Sequence, residues 1–247
     1  MLRIARRLKN WQEVWRGYID QQPIPELHFR SGLRLAHDSG DAPVFLLFEV
    51  FADGCYRNHI HGPMQGTVID IGANIGAAAM DFATRFNDIE IHAYEPNPRS
   101  HEMLRHNVSI NGLDEKIRSL GEAVGRGPGT LRLNVAGPSI AATAYGSLDG
   151  DATDHIEVPC VGLAECLTRV TKLPVALLKI DAEGAEADIL EGAPPGALNA
   201  VRNVALEYHN DLCGEADRRC KSVLRGAGFH VLRTAATAPR GLIHAWR

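Results

Sequence analysis

Val68-Ile69-Asp70-Ile71-Gly72-Ala73-Asn74-Ile75-Gly76 is the stretch that decides the fold. An apolar run ends in an acid, a short glycine turn follows, and 77–86 reads as helix-forming. Strand, tight turn and helix in that order open a nucleotide-binding α/β unit. Gly72 and Gly76, with Ala73 and Asn74 between them, are the candidate ligand-facing backbone, because glycine permits close approach and conformations that a side chain blocks. Asp70 lies two residues before the first glycine, at the strand tip. A carboxylate there repels a pyrophosphate and attracts an ammonium group. S-adenosylmethionine carries an ammonium and no phosphate, so the position of the acid favours it. A nicotinamide-dependent oxidoreductase needs the G-x-G-x-x-G turn, and Asn74 stands where its second glycine belongs.

Two further acids extend the pattern. Ile91-His92-Ala93-Tyr94-Glu95-Pro96 reads as the next strand, and Glu95 follows Gly72 by 23 residues. An acid about 20 residues on is what ribose hydroxyls require, since one carboxylate accepts from two vicinal hydroxyls. Glu122 follows a third strand at 116–120, placed to accept from or lie beside an adenine amino group. Each signal is weak alone; the ordered set of acids at strand ends is much more specific.

The rest of the chain alternates strands and helices, which implies a mainly parallel sheet. Strands are expected at 67–71, 89–94, 116–120, 175–180, 201–207, 229–233 and 242–246, the last two paired antiparallel because only a loop joins them. This is a Rossmann-like α/β class I methyltransferase outline: seven strands, mostly parallel, with an antiparallel last strand. The stretch 125–153 is rich in Gly, Ala, Ser and Asp and reads mostly as loop, with a short strand at 130–135. Residues 1–62 read as an N-terminal helical cap or lid and 63–247 as the catalytic domain. In the cap, Ile4, Leu8, Trp11 and Trp15 share one helical face amid Arg3, Arg6, Arg7 and Lys9. Such a face packs on its own domain or on a second subunit, which allows a homodimer, more readily than on a membrane.

Composition sets outer bounds. The 247 residues carry a net charge of −4 and are 45% hydrophobic. That is enough for a sizeable core, and nothing global attracts nucleic acid or an anionic membrane. Five cysteines without metal spacing suit a reducing compartment. No apolar block follows the basic start, and no run is long enough to span a bilayer. The expectation is a cytoplasmic protein without nucleic-acid or membrane partners.

With these residues in place, the sequence resembles the FkbM family of S-adenosylmethionine-dependent methyltransferases. The matching blocks are VIDIGANIG (68–76), AYEPNP (93–98), RHNVSINGL (105–113), GEAVG (121–125) and LLKIDAEGAEADILEG (177–192). The most telling is Lys179-Ile180-Asp181-Ala182-Glu183-Gly184-Ala185-Glu186, which a generic methyltransferase does not share. The resemblance implies O-methylation of a hydroxyl on a sugar or secondary metabolite, and it adds Pro96 and Ala123 to the donor-binding set. It says little about the first 60 residues.

Asp181 ends the fourth sheet strand, next to the strand that Asp70 ends, so it is expected to face the methyl donor. Lys179 shares its face and needs an acidic partner: Asp181, Glu183 or Glu207. Methyl transfer to a hydroxyl also needs a proton acceptor. The candidates for it are Asp181, Glu183, Glu207 and His209, with His209 favoured as base because its unperturbed pKa suits the task; the catalytic set is taken as Asp181, His209, Glu183 and Lys179. The same carboxylates suit Mg²⁺ through oxygen ligands, although spacing alone assigns no metal ligand. His59 and His61 lack a third ligand and read as loop polars or acceptor contacts. An RNA or protein acceptor, or a catalytically silent donor-binding module, are the other readings. The acidic balance and the missing aromatic–basic stripe weigh against RNA.

Overall fold

The structure is a computed structural model and describes residues 2–38, 41–135, 155–237 and 239–247. The N-terminal segment begins with α1 (Leu2–Arg7) and α2 (Trp11–Ile19). The apolar stripe predicts one helix face, but the chain breaks between them. Leu8 forms a bridge to Phe29, and the Asn10 side chain donates to Glu26 O at 2.8 Å while accepting from His28 N–H at 3.1 Å. A hairpin of β1 (Leu27–His28) and β2 (Arg34–Leu35) follows, then α3 (Pro43–Leu46), which widens into a π-helical turn at Leu47–Asp53.

The sheet domain starts with β3 (Gly66–Ile71), α4 (Ala77–Arg85), β4 (Ile89–Tyr94), α5 (Pro98–Ile110) and β5 (Ile117–Leu120). β6 (Ala123–Gly125), β7 (Gly129–Asn134) and β8 (His155–Gly162) come next, followed by α6 (Leu163–Thr168), β9 (Val175–Ile180) and α7 (Glu186–Glu191). The chain ends with β10 (Asn203–His209), α8 (Ala216–Gly226), β11 (His230–Thr237) and β12 (Arg240–Trp246). Seven strands form the main sheet in the order β11-β12-β10-β9-β3-β4-β5. β12 runs antiparallel to β10 and β11, and the other pairs are parallel. The order reverses between β3 and β9, and ligands bind beyond the strand ends at such a switch point.

Alternate residues of each strand feed two apolar layers. Val68, Ile91 and Leu177 pack with α4, α5 and the cap residues Ile4, Leu8, Leu35 and Leu47 on one face. Ile69, Leu178 and Leu206 pack with α7 and α8 on the other. The cap thus shares its core with the sheet rather than having its own. Each of these fully buried aliphatics contributes about 1.5–3 kcal/mol. A buried clasp adds to this: Arg57 donates to Val50 O at 2.7 Å and to Asp81 of α4 at 3.0 Å.

The three-stranded sheet β6-β8-β7 carries the short strand expected at 130–135. β8 is without a clear sequence signal, because Pro159 interrupts Ile156, Val158 and Cys160 and a proline demotes a strand pattern. The part of the expected loop at 136–153 lies outside the described residues. Among those described, no helix is long and apolar enough to cross a membrane.

Candidate active site at the carboxyl ends of the central strands

A cleft opens beyond the ends of β3, β4 and β9. Gly72, Asn74, Glu95, Pro96, Glu122, Ala123, Asp181 and Glu183 line it, together with Tyr94, Val124, Leu131 and Leu133. The strand ends bring most of the expected donor-binding residues to one wall. Glu95 is buried and accepts from Asn74 N–H and Asn97 N–H, both at 2.8 Å. A carboxylate has about four acceptor positions, so two backbone bonds leave room for hydroxyl donors. Burial raises its pKa to about 7, against the pull of those two N–H groups. Glu122 is held in a two-pronged ion pair by Arg169.

Other expected residues take different roles. Asp70 is fully buried and does not line the cleft; Lys179 Nζ lies 3.0 Å from its Oδ1. Its counter-ion is therefore a residue of the chain, and the carboxylate is not open to a ligand's ammonium. Lys179 also donates to Gly72 O at 2.7 Å and stands 3.8 Å from Asp181. Burial opposes its charge, yet Asp70 and Asp181 outweigh this and hold its pKa at about 12. So firmly charged a lysine, absent from the cleft wall, clamps the turn. The glycines answer to the protein itself. A Cβ on Gly72 (φ 72°) would sit 1.7 Å from Asp181 O, and one on Gly76 (φ 90°) 2.5 Å from Leu104. Ala73 is buried, its N–H bonded to Tyr94 O at 3.0 Å. Asn74 fills a left-handed position (φ 49°) that presents its N–H to Glu95.

On the other side of Asp181 lies a second group of acids. Asp181, Glu183 and His209 bring ligand-type atoms within 4.8 Å of one another. His209 Nδ1 pairs with Glu186 at 2.8 Å, and Nε2 faces Glu183 at 3.5 Å and Glu207 at 4.0 Å. Tyr56, reaching in from the cap, donates to Asp181 at 2.9 Å and lies 3.4 Å from Glu207. Glu49, on the π-helical turn, joins them. Burial, reinforced by the Asp181 charge, raises Glu49 and Glu183 to about 7 and Glu207 to about 8. Burial also opposes a charge on His209, but the Glu186 hydrogen bond and the surrounding carboxylates raise it to about 9. That tighter hold on the proton weighs against the ready base expected of His209. Tyr56 and Glu49 were not legible in the sequence, because nothing in the spacing of the cap ties them to strands more than a hundred residues on. His59 and His61 turn away: His61 stacks on Trp246 at 4.1 Å and His59 lies against His244 at 4.6 Å.

Comparison with known proteins adds to this geometry. Residues 70–231, more than half of the chain, match the model of the methyltransferase FkbM domain. The chain belongs to the FkbM methyltransferase family. Members of this family are S-adenosylmethionine-dependent methyltransferases. The 31-O-demethyl-FK506 methyltransferase FkbM of Streptomyces tacrolimicus is 28% identical over 236 residues, covering 85% of this chain and 90% of its own. Methyltransferase sdnD of Sordaria araneosa is 26% identical, covering 78% of this chain and 84% of its own. Among solved structures, the FkbM methyltransferase of Methylobacillus flagellatus KT superposes with a TM-score of 0.53 at 13% identity, over 86% of this chain and 56% of that one. That likeness speaks to the fold alone. The FkbM assignment agrees with the strand order, and the matched span takes in the cleft residues with Asp181, Glu183, Glu207 and His209, while Glu49 and Tyr56 lie outside it.

Proposed function

We propose that the protein transfers a methyl group from S-adenosylmethionine to a hydroxyl of a small molecule, a sugar or secondary metabolite. One observation carries this reading: Asp181 and Glu183 line the cleft and also belong to the acid cluster beneath the cap. A donor in the cleft and an acceptor at the cluster then meet across one carboxylate. The relative from Streptomyces tacrolimicus bears a name that specifies an O-linked position on a secondary metabolite, which supports the choice of a hydroxyl.

The cleft fits the donor. Glu95 suits the ribose hydroxyls, Glu122 the adenine amino group, and Pro96, Ala123, Val124, Leu131 and Leu133 an apolar ring. With Asp70 engaged by Lys179, the carboxylates left facing the donor's ammonium and sulfonium are Asp181 and Glu183. S-adenosylmethionine supplies an electrophilic methyl on sulfur. Asp181 accepts the hydroxyl proton as the new O–C bond forms and the C–S bond breaks, with S-adenosylhomocysteine leaving. Holding both partners in line is the larger part of the acceleration. The buried walls and the cap, 42–61, exclude water and strengthen the local electrostatics. The carboxylates also suit Mg²⁺, bound through oxygen, as an aid to deprotonation.

The test is a panel of hydroxylated metabolites and glycosides with labelled donor, read as S-adenosylhomocysteine formed and label transferred. Methylation of hydroxyls supports the reading. Transfer only to nitrogen, or only to RNA or protein, overturns it.

A further inference from the structure

We propose that His209 Nε2, Glu183 and Asp181, with Glu207 as a fourth arm, form a binding site for one divalent transition-metal ion of the Mn²⁺ class. The inference rests on the reading above only for its catalytic use; the site itself is argued from geometry. Octahedral ligands about 2.1 Å from a metal stand about 3.0–4.2 Å apart. Nε2 lies 3.5 Å from Glu183 and 4.0 Å from Glu207, and the ligand atoms of Asp181, Glu183 and His209 all fall within 4.8 Å. Charge-assisted hydrogen bonds close to about 2.7–2.9 Å, as the opposite side of the same ring does with Glu186 at 2.8 Å. The Nε2 side keeps the spacing of a coordination shell instead.

The support behind the ring points the same way. Metal-ligating histidines characteristically direct their other nitrogen to a carboxylate that fixes the ring and raises its basicity. Glu186 is fully buried, and its Oε1 also accepts from Gly184 N–H at 2.9 Å and Ala182 N–H at 3.2 Å. Its Oε2 has no hydrogen-bond partner among the described residues. Two cations border the set at longer range: Lys179 lies 3.0 Å from Asp70 and 3.8 Å from Asp181, and Arg240 lies 2.9 Å from Asp211 and 3.7 Å from Glu183. One imidazole with carboxylates suits Mn²⁺ or Fe²⁺ better than Mg²⁺, which prefers an all-oxygen shell. Tyr56 on Asp181 and the cleft on its far side place such an ion beside an acceptor hydroxyl, where it would orient the oxygen and lower its pKa.

The test is titration of chelator-stripped full-length protein with MnCl₂, followed by loss of the free Mn²⁺ electron paramagnetic resonance signal and by calorimetry. Wild type is expected to bind one Mn²⁺, at least tenfold tighter than Mg²⁺, and to melt at a higher temperature when Mn²⁺ is added. His209→Gln and Glu183→Gln should abolish that binding, and Glu186→Gln should weaken it by about 10–100-fold. Glu183 is partly exposed, so Glu183→Gln remains informative if His209→Gln fails to fold. Absence of Mn²⁺ binding, or wild-type affinity in Glu183→Gln, overturns the site. S-adenosylhomocysteine affinity and methyl transfer are measured on the same samples. Methyl transfer that survives EDTA in protein that binds no Mn²⁺ sinks the site and leaves the function standing. Mn²⁺ binding without transfer to any acceptor does the reverse.

Discussion

On one side of the cleft, Glu95 is met by two backbone N–H groups at 2.8 Å, and behind that wall the buried Asp70 is met by Lys179 at 3.0 Å. On the other, Asp181, Glu183, Glu207 and Glu49 crowd around one histidine, and burial raises the last three of these carboxylates into the neutral range. The first wall is finished by the protein itself and is ready to receive a ligand by shape and hydrogen bonding. The second crowds together acids whose ionised forms burial disfavours, with Lys179 3.8 Å from Asp181 and Arg240 3.7 Å from Glu183 as their longer-range partners. Crowding acids in a buried place is unfavourable to folding, and its persistence points to chemistry. Binding and turnover should therefore separate between the two walls.

The sharpest way to break this division is Asp181→Asn, which keeps the shape and removes the charge. Turnover should fall by about 10²–10⁴-fold, the usual contribution of a positioned proton acceptor, while donor affinity, still served by Glu183, falls far less. Steady-state rates with saturating donor and acceptor, beside calorimetry with S-adenosylhomocysteine, check both halves. A near-normal rate would remove Asp181 from the chemistry.

Glu95→Ala tests the opposite wall. Loss of charge-assisted bonds worth about 1.5–3 kcal/mol should weaken donor binding by roughly ten- to a hundredfold. The rate at saturating donor should hold. Wild-type affinity in a calorimetric titration would refute the ribose assignment.

The raised pKa of Glu95 gives a pH signature to the same wall. Only the ionised form offers charge-assisted acceptance, so donor affinity should rise as pH increases through about 7. In Glu95→Gln that slope should flatten. The sign for folding is opposite. Between the ordinary 4.5 and about 7, native Glu95 holds a proton that the unfolded chain has lost, so its contribution to stability declines as pH rises across that window. Affinity titrations and thermal melts from pH 5 to pH 8 would show whether the two trends diverge.

Tyr56→Phe should have the smallest effect. It deletes one hydrogen bond to Asp181 at 2.9 Å, a net loss of about 0.5–1.5 kcal/mol. A several-fold fall in turnover with unchanged donor affinity is expected. A shift in donor affinity alone would move the cap residue to the other wall.

The donor wall was largely legible because its information is local. Strand, acid, turn and helix follow one another within β3 and α4, and Glu95 and Glu122 end the next two strands of a fixed order. What could not be read was the partner each group already has. Asp70 looked available until β9 placed Lys179 beside it, and that pairing depends on the parallel register of Asp70 with Lys179. The KIDAEGAE block announced its importance, but the meeting of Glu183, Glu186 and His209 needs the turn after β9 and the end of β10 side by side. The cap was least legible. Arg57, Tyr56 and Glu49 act through tertiary contacts that no period of hydrophobicity encodes, and the helix break at 8–10 follows from side-chain bonds to a distant hairpin.

The missing side chain at Gly72 has one more consequence. Its α-carbon lies so near the Asp181 carbonyl that a single methyl would overlap it, at 1.7 Å. Backbone therefore rests on backbone where the two walls join, like two stones laid without mortar. Mutation can change the charge carried by either wall, but hardly the gap between them. A lineage or an engineer seeking a larger or differently shaped acceptor is left with the third side, the cap, whose Tyr56 and Glu49 come from a segment free of that constraint. Acceptor range should then diversify by exchange of 42–61, with the reacting distance inherited unchanged.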